Sequence, residues 1–194
     1  MNSARRRAGW WGIAFVVVLL VAAAMVSLPT GKVSGQAIRS FYGAHAPIIV
    51  LQQLLGASSL VPLVAFAVAL GARRRPLLLA GTILVVITEL ATNVVPLLIV
   101  LSNPPAGVAH TLTVIDDLAD SALFLALGVL AVAATSHQPG WLRYGGLLVA
   151  AVLICRALLS PLGVDALDQL APIAFIALIL VLATRQLLGK ARAG

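Results

Sequence analysis

Three of the chain's six acidic side chains fall within five residues, in the string Asp116-Asp117-Leu118-Ala119-Asp120. On a helix Asp116 and Asp120 are one turn apart and Asp117 is three residues from Asp120, so all three carboxylates share roughly one face. Like charges at that separation repel. A cation, a proton, an arginine or water must compensate them. Carboxylates on one helical face can supply the oxygen ligands that magnesium takes. The plainer reading is an acidic helix start, favoured by the helix dipole and facing water.

Glu89 poses a sharper question, because it falls about halfway along an apolar run with no basic residue at its level. Desolvation disfavours the charged carboxylate there, which would leave the group protonated at neutral pH. Asn93 lies one turn away on the same face, with Thr88 and Thr92 on the adjacent stripe. A protonated carboxyl beside an amide, in an apolar cavity, is a proton donor of the kind acid-initiated chemistry on a hydrophobic substrate needs. A proton-coupled carrier needs the same group. The structural alternative is hydrogen-bonding glue to Gln52 or Gln53 of a neighbouring helix.

Arg156 also falls in an apolar run, at the depth expected for Asp120. An unpaired guanidinium there would cost about 2.5–3.5 kcal/mol on insertion scales. Pairing with Asp120 or Asp168 is therefore expected, either as a structural ion pair or as the rim of an outward-facing pocket. Site residues expected on these grounds are Glu89, Asn93 and Asp120 for catalysis, and Asp116, Asp117, Arg156 and Asp168 for substrate binding.

The elements that carry these groups follow from composition. The 194 residues are 61% hydrophobic and only 10% charged, where soluble domains carry about 25% charged residues. Such a chain requires lipid as its solvent. The expected fold class is all-α: a polytopic membrane bundle of six transmembrane helices forming one integral membrane domain. Spans are expected at about 10–28, 47–70, 77–101, 114–134, 141–159 and 166–183. The first run, preceded by Arg5, Arg6 and Arg7, is read as a retained helix rather than a cleaved signal. Residues 30–45 and 102–113 are read as loops, on their proline, glycine and polar content.

With the N-terminus cytoplasmic, ten of the thirteen basic residues fall inside and only Lys32, Arg39 and Arg156 fall outside. That bias gives both termini a cytoplasmic location in a bacterial plasma membrane. The acids show the complement: Asp116, Asp117, Asp120, Asp165 and Asp168 lie toward the outer end and none is cytoplasmic. The net charge of +7 thus sets topology, and no nucleic-acid partner is expected. The lone Cys155, inside an apolar run, reads as a small buried hydrophobe and excludes a cysteine metal cluster. His45, His110 and His137 show no helical pairing that would hold haem. No metal or cofactor is expected, and a homo-oligomer is allowed.

Asp116-Asp117-Leu118-Ala119-Asp120 is similar to the Asp-Asp-x-x-Asp element by which class I terpene synthases and prenyltransferases hold magnesium and diphosphate, although the second metal motif of those families is absent. Over nearly its whole length the chain resembles a group of small six-span, actinobacterial-type membrane proteins classed as a domain of unknown function. The resemblance rests on the arginine-capped first span, the mid-span acid Glu89 and the Gln138-Pro139-Gly140-Trp141-Leu142-Arg143 turn, with Gly140 where the group carries arginine. A weaker similarity, through Glu89 and the span-mouth Asp120, is to the intramembrane terpene cyclases of bacterial indole-sesquiterpenoid pathways. Those use buried acids to protonate an alkene or epoxide. The leading expectation is an intramembrane acidic site handling a lipid or isoprenoid, most concretely by acid-initiated terpene cyclisation. A small proton-coupled transporter and a non-catalytic membrane subunit or regulator are the alternatives.

Overall fold

The computed structural model describes residues 2–189 and contains no strand among them. The described residues contain six long helices: α1 (Asn2–Ala23), α2 (Gly35–Ala69), α3 (Pro76–Ser102), α4 (Ala106–Thr135), α5 (Gly140–Leu159) and α6 (Leu170–Leu188). Each is long and apolar enough to cross a membrane. Lys190 and Arg192, counted among the inner basic residues, lie outside the described residues.

Local chemistry sets the helix ends. Ser34 caps α2, its Oγ accepting from the Ala37 N–H at 3.3 Å, and so satisfies one of the orphan donors of the first turn. Pro76 opens α3, while Pro105 and Pro139 immediately precede α4 and α5, positions where a missing N–H costs nothing. Asn103 ends α3 in the left-handed region at φ 42°, a conformation asparagine tolerates, and Pro104 then prevents continuation.

Two helices begin well before the spans expected from hydropathy. α2 starts at Gly35 instead of near residue 47 and runs through Pro47 and Pro62. α4 starts at Ala106, inside the stretch read as a loop. Polar residues marked those stretches as loops, yet once capped they are simply helix that projects beyond the apolar slab. At 1.5 Å per residue, the 35 residues of α2 extend about 52 Å, against a hydrocarbon core of about 30 Å. The projecting ends share a small core of Ile38, Tyr42 and Ile49 from α2, Val95 and Ile99 from α3, and Ala109 from α4. At the other end of the chain, residues 166–169 form turn rather than helix, so α6 begins later than expected.

The helices form a closed ring in chain order, α6 returning to pack on α1, while α4 also touches α2 across the centre. The main core joins all six, with Phe66, Leu63, Leu78, Leu153 and Leu182 fully buried. Bulky apolar side chains such as Trp10, Val61, Ile87, Leu148 and Ile173 are exposed around the outside, as a lipid-facing surface requires. Cys155 lies on that exposed surface, not in the core as its apolar neighbours implied. A hydrophobic run in lipid carries no sign of which face turns outward.

Close helix approaches occur where a side chain is missing. At the α4–α5 contact Gly146 sits directly against the Thr135 side chain, whereas a Cβ on its neighbour Gly145 would meet nothing. Where α6 closes on α1, a Cβ at Gly12 would stand 2.8 Å from that of Ala183. Small residues at such contacts are what allow membrane helices to associate. Gly146→Val is expected to lower the thermal midpoint in detergent, through overpacking of about 1–3 kcal/mol. Gly145→Val, one residue away, is expected to leave it unchanged. Equal effects at the two positions would contradict the packing described.

Candidate functional site

The polar groups gather at one end of the bundle, formed by the α1–α2 linker, the α3–α4 turn and the α5–α6 linker. Arg73, Arg74, Arg75, Arg143 and Arg185 lie at the other end, the basic one. At the acidic end a cavity of about 800 Å³ reaches from the exposed linker residues Lys32 and Asp165 down to Glu89 and Asn93. Glu89, Asn93, Asp116, Asp117, Asp120, Arg156 and Asp168 all line this one space. Glu89 thus faces the interior and not the acyl chains.

Arg156 organises one wall. It stands in the last turn of α5, which brings its guanidinium to α4 and to the α5–α6 linker together. Nη1 lies 2.5 Å from Asp120 Oδ2, an ion pair by distance whose N–H is not aligned along the contact. Nε donates to Asp168 Oδ1 at 3.0 Å. The guanidinium also covers the Phe124 ring at 4.0 Å from its centroid, a cation–π contact. Both aspartates expected as partners therefore bind it at once.

The floor is the Glu89–Asn93 pair of α3. Asn93 Nδ2 donates to the Glu89 backbone oxygen at 2.6 Å and to its Oε1 at 3.2 Å. Across from them α2 presents Gly56, where a Cβ would lie 2.8 Å from Asn93 Oδ1 and 3.5 Å from Glu89 Oε1. Only glycine leaves room for the pair. Thr92 donates to the Glu89 carbonyl, and Thr88 turns back to that of Leu84 and does not line the cavity. Glu89 makes no hydrogen bond to either glutamine among the described residues. Gln52 instead donates to the Ala22 and Val26 carbonyls at 3.1 and 2.8 Å, satisfying backbone at the end of α1.

The Asp116–Asp120 string does not open a helix. α4 begins at Ala106, so the string lies in its third and fourth turns, beyond the reach of the N-terminal dipole. Nor do its members converge on a point: Asp120 is held by Arg156, and Asp117 Oδ2 accepts the Gly31 N–H at 2.8 Å. Among the described residues Asp116 accepts no hydrogen bond, and its Oδ1 is shut away from solvent. Among the described residues no three His, Cys, Asp or Glu side chains are placed to hold a metal ion. His110 bonds the Gly31 carbonyl and His45 stacks on Phe41.

Sequence reasoning did not foresee the roof. Gly31 fits against α4 because a Cβ there would stand 2.7 Å from Val114 Cγ2. Lys32 reaches both oxygens of Asp165, at 2.6 and 2.7 Å, and so ties the α1–α2 linker to the α5–α6 linker. The one sequence signal for this contact was a lone lysine in one glycine-containing linker and a pair of aspartates, Asp165 and Asp168, in another on the same side.

Beneath the floor lies a second, apolar slot of about 120 Å³, lined by Phe15, Phe124 and Phe175 with leucines around them. Glu89 borders both spaces. A carboxyl there stands between a polar chamber and an apolar one.

Arg156→Leu is expected to destabilise the protein by on the order of 1–3 kcal/mol, below the figure for a fully buried pair because both aspartates are more than a third exposed. Adding Asp120→Asn should recover part of that loss in a thermal-shift cycle. Strictly additive effects would show that the two side chains are uncoupled.

No protein-family model, curated protein or solved structure matches this chain.

Proposed function

We propose that the protein is a plasma-membrane enzyme that takes a lipid or isoprenoid into the cavity from the extracytoplasmic side and isomerises it by acid-initiated cyclisation. The orientation rests on the basic bias of the opposite end, which by the positive-inside rule puts that end and both termini in the cytoplasm. The substrate class rests on the space: about 800 Å³ falls within the usual range for sites that enclose a small molecule.

The observation that carries the reading is the position of Glu89 at the junction of the two chambers. Asn93 occupies Oε1 as a donor, so a protonated carboxyl carries its hydrogen on Oε2. Protonation of a double bond lying in the slot creates a carbocation beside Phe15 and Phe175, aromatic rings of the kind that stabilise positive charge. A second double bond of the same chain attacks that centre. One carbon–carbon σ bond forms, and one π bond is lost per ring. Loss of a proton to a carboxylate, for which Asp120 is the candidate, restores neutrality, so the product has the mass of the substrate. Asp116, Asp117, Arg156 and Asp168 hold the polar end of the substrate at the mouth. Glu89 and Asn93 form the donor pair, as general acid catalysis requires a donor within reach of the reacting atom.

The test is mass spectrometry of what co-purifies in mild detergent with wild type and with Glu89→Gln. Both should carry a long-chain species of one mass. The variant's species should elute differently and take up one more equivalent of hydrogen per ring not closed. Turnover of that species by the variant should fall by about 100-fold or more, with its monodispersity intact. Identical ligands in the two proteins would overturn the cyclisation, and an aggregated variant would make Glu89 structural.

A further inference from the structure

We infer that the slot beneath Glu89 is a blind subsite that takes the apolar end of the ligand first and admits about six of its carbons, which in an isoprenoid is a single terminal unit. This deepens the preceding reading and rests on it for the class of ligand.

Helical register joins the slot to the cavity. Leu19 of α1, Glu89 of α3 and Leu123 of α4 line both spaces, and so form the neck between them. Four residues along each helix toward the basic end come Phe15, Val85 and Leu127, which line the slot alone. Three helices thus descend in step, and the slot continues the cavity inward by about 6 Å, at 1.5 Å per residue. α6, which does not line the cavity above, adds Phe175, edge-on to Phe15 with ring centroids 6.3 Å apart. The inner end is shut. Leu63 of α2 lines the slot, but Phe66, three residues further in, is fully buried and does not. A Cβ at Gly12 would stand 3.1 Å from the Phe66 ring, so the bundle is filled at that level.

Size and polarity then fix the occupant. At about 120 Å³ the slot is somewhat smaller than the engineered apolar cavity of about 150 Å³ that holds benzene in another protein. Apart from Glu89 its one polar lining side chain is Ser59, whose hydroxyl donates to the Gly56 carbonyl at 2.7 Å. A charged head group would lose its water there and gain few partners, whereas hydrocarbon has no such loss. The charged side chains line the cavity instead, so the polar end of the ligand stays behind the neck. Phe15, Leu63, Val85 and Phe175 are each at most 4% exposed, and close-packed walls of this kind yield little to an oversized group. An isoprenoid seated in this way brings the double bond of its last unit to the neck, beside Glu89.

Three alcohols that share one alkyl chain and end in an isopropyl, a cyclohexyl or an adamantyl group test this on the protein in lipid nanodiscs. Affinities are read by native mass spectrometry and referred to each probe's uptake by empty discs. The isopropyl and cyclohexyl ends should bind comparably. The adamantyl end should bind about tenfold or more weaker, the effect of overpacking a filled site. Leu127→Ala, which enlarges the slot, should bring the adamantyl alcohol back toward the cyclohexyl one. Leu127→Val is the milder enlargement if the alanine variant does not fold. Equal binding of all three ends by wild type, or an adamantyl penalty that enlargement does not relieve, overturns the subsite while leaving the lipid reading standing. The ranking needs no turnover, so failure of the cyclisation alone would leave it intact. If no probe binds above the empty discs, both readings fall.

Discussion

A guanidinium within an apolar bundle is tolerated only where opposite charge meets it, and Arg156 is that place in this protein. It is 11% exposed, holds Asp120 of α4 and Asp168 of the α5–α6 linker, and rests on the face of Phe124. Those contacts decide where α5 stops and where the linker turns. They also set how closely the acidic face of α4 approaches the rest of the bundle. The cavity is what remains between this anchored wall and the opposite one, where Gly31 and Lys32 bind Asp117 and Asp165. Arg156, Asp120, Asp168, Lys32 and Asp165 are thus placed by charge, within a scaffold placed by apolar packing.

Much of the scaffold was legible because lipid imposes a simple rule. Backbone groups must bond within a helix, so six apolar runs meant six helices. The missed boundaries have one cause. Hydropathy reports where the hydrocarbon ends, whereas caps report where the helix ends, and in α2 and α4 the two differ by several turns. Ser34 before Gly35, and the Pro104-Pro105 pair before Ala106, carried that information in the sequence. Cys155 shows the opposite limit: in an all-apolar stretch, periodicity no longer separates the face toward neighbours from the face toward lipid.

The site was legible to the extent that electrostatics is obligatory. Glu89 with Asn93, and Arg156 with aspartates, followed from the cost of leaving such groups alone. What could not be read is how the Asp116–Asp120 string divides its labour. Helical spacing puts its members on one face, yet only three-dimensional packing assigns Asp120 to Arg156, Asp117 to a backbone amide and Asp116 to nothing. Gly56 was equally silent. Its role is the space it leaves for Asn93 and Glu89, and an absent side chain in a long helix has no signature of its own.

The closure of the ring by α6 against α1 bears on how the molecule comes to exist. During synthesis the first helix must wait in the bilayer for the last, its Gly9 and Gly12 face uncovered until Ala183 and Leu187 arrive. Until Asp168 emerges, Arg156 has only one of its two counterions. A nascent chain arrested before that point would display a bare seam and a half-neutralised cation. The same closure that helps enclose the chamber thus covers the apolar seam of α1.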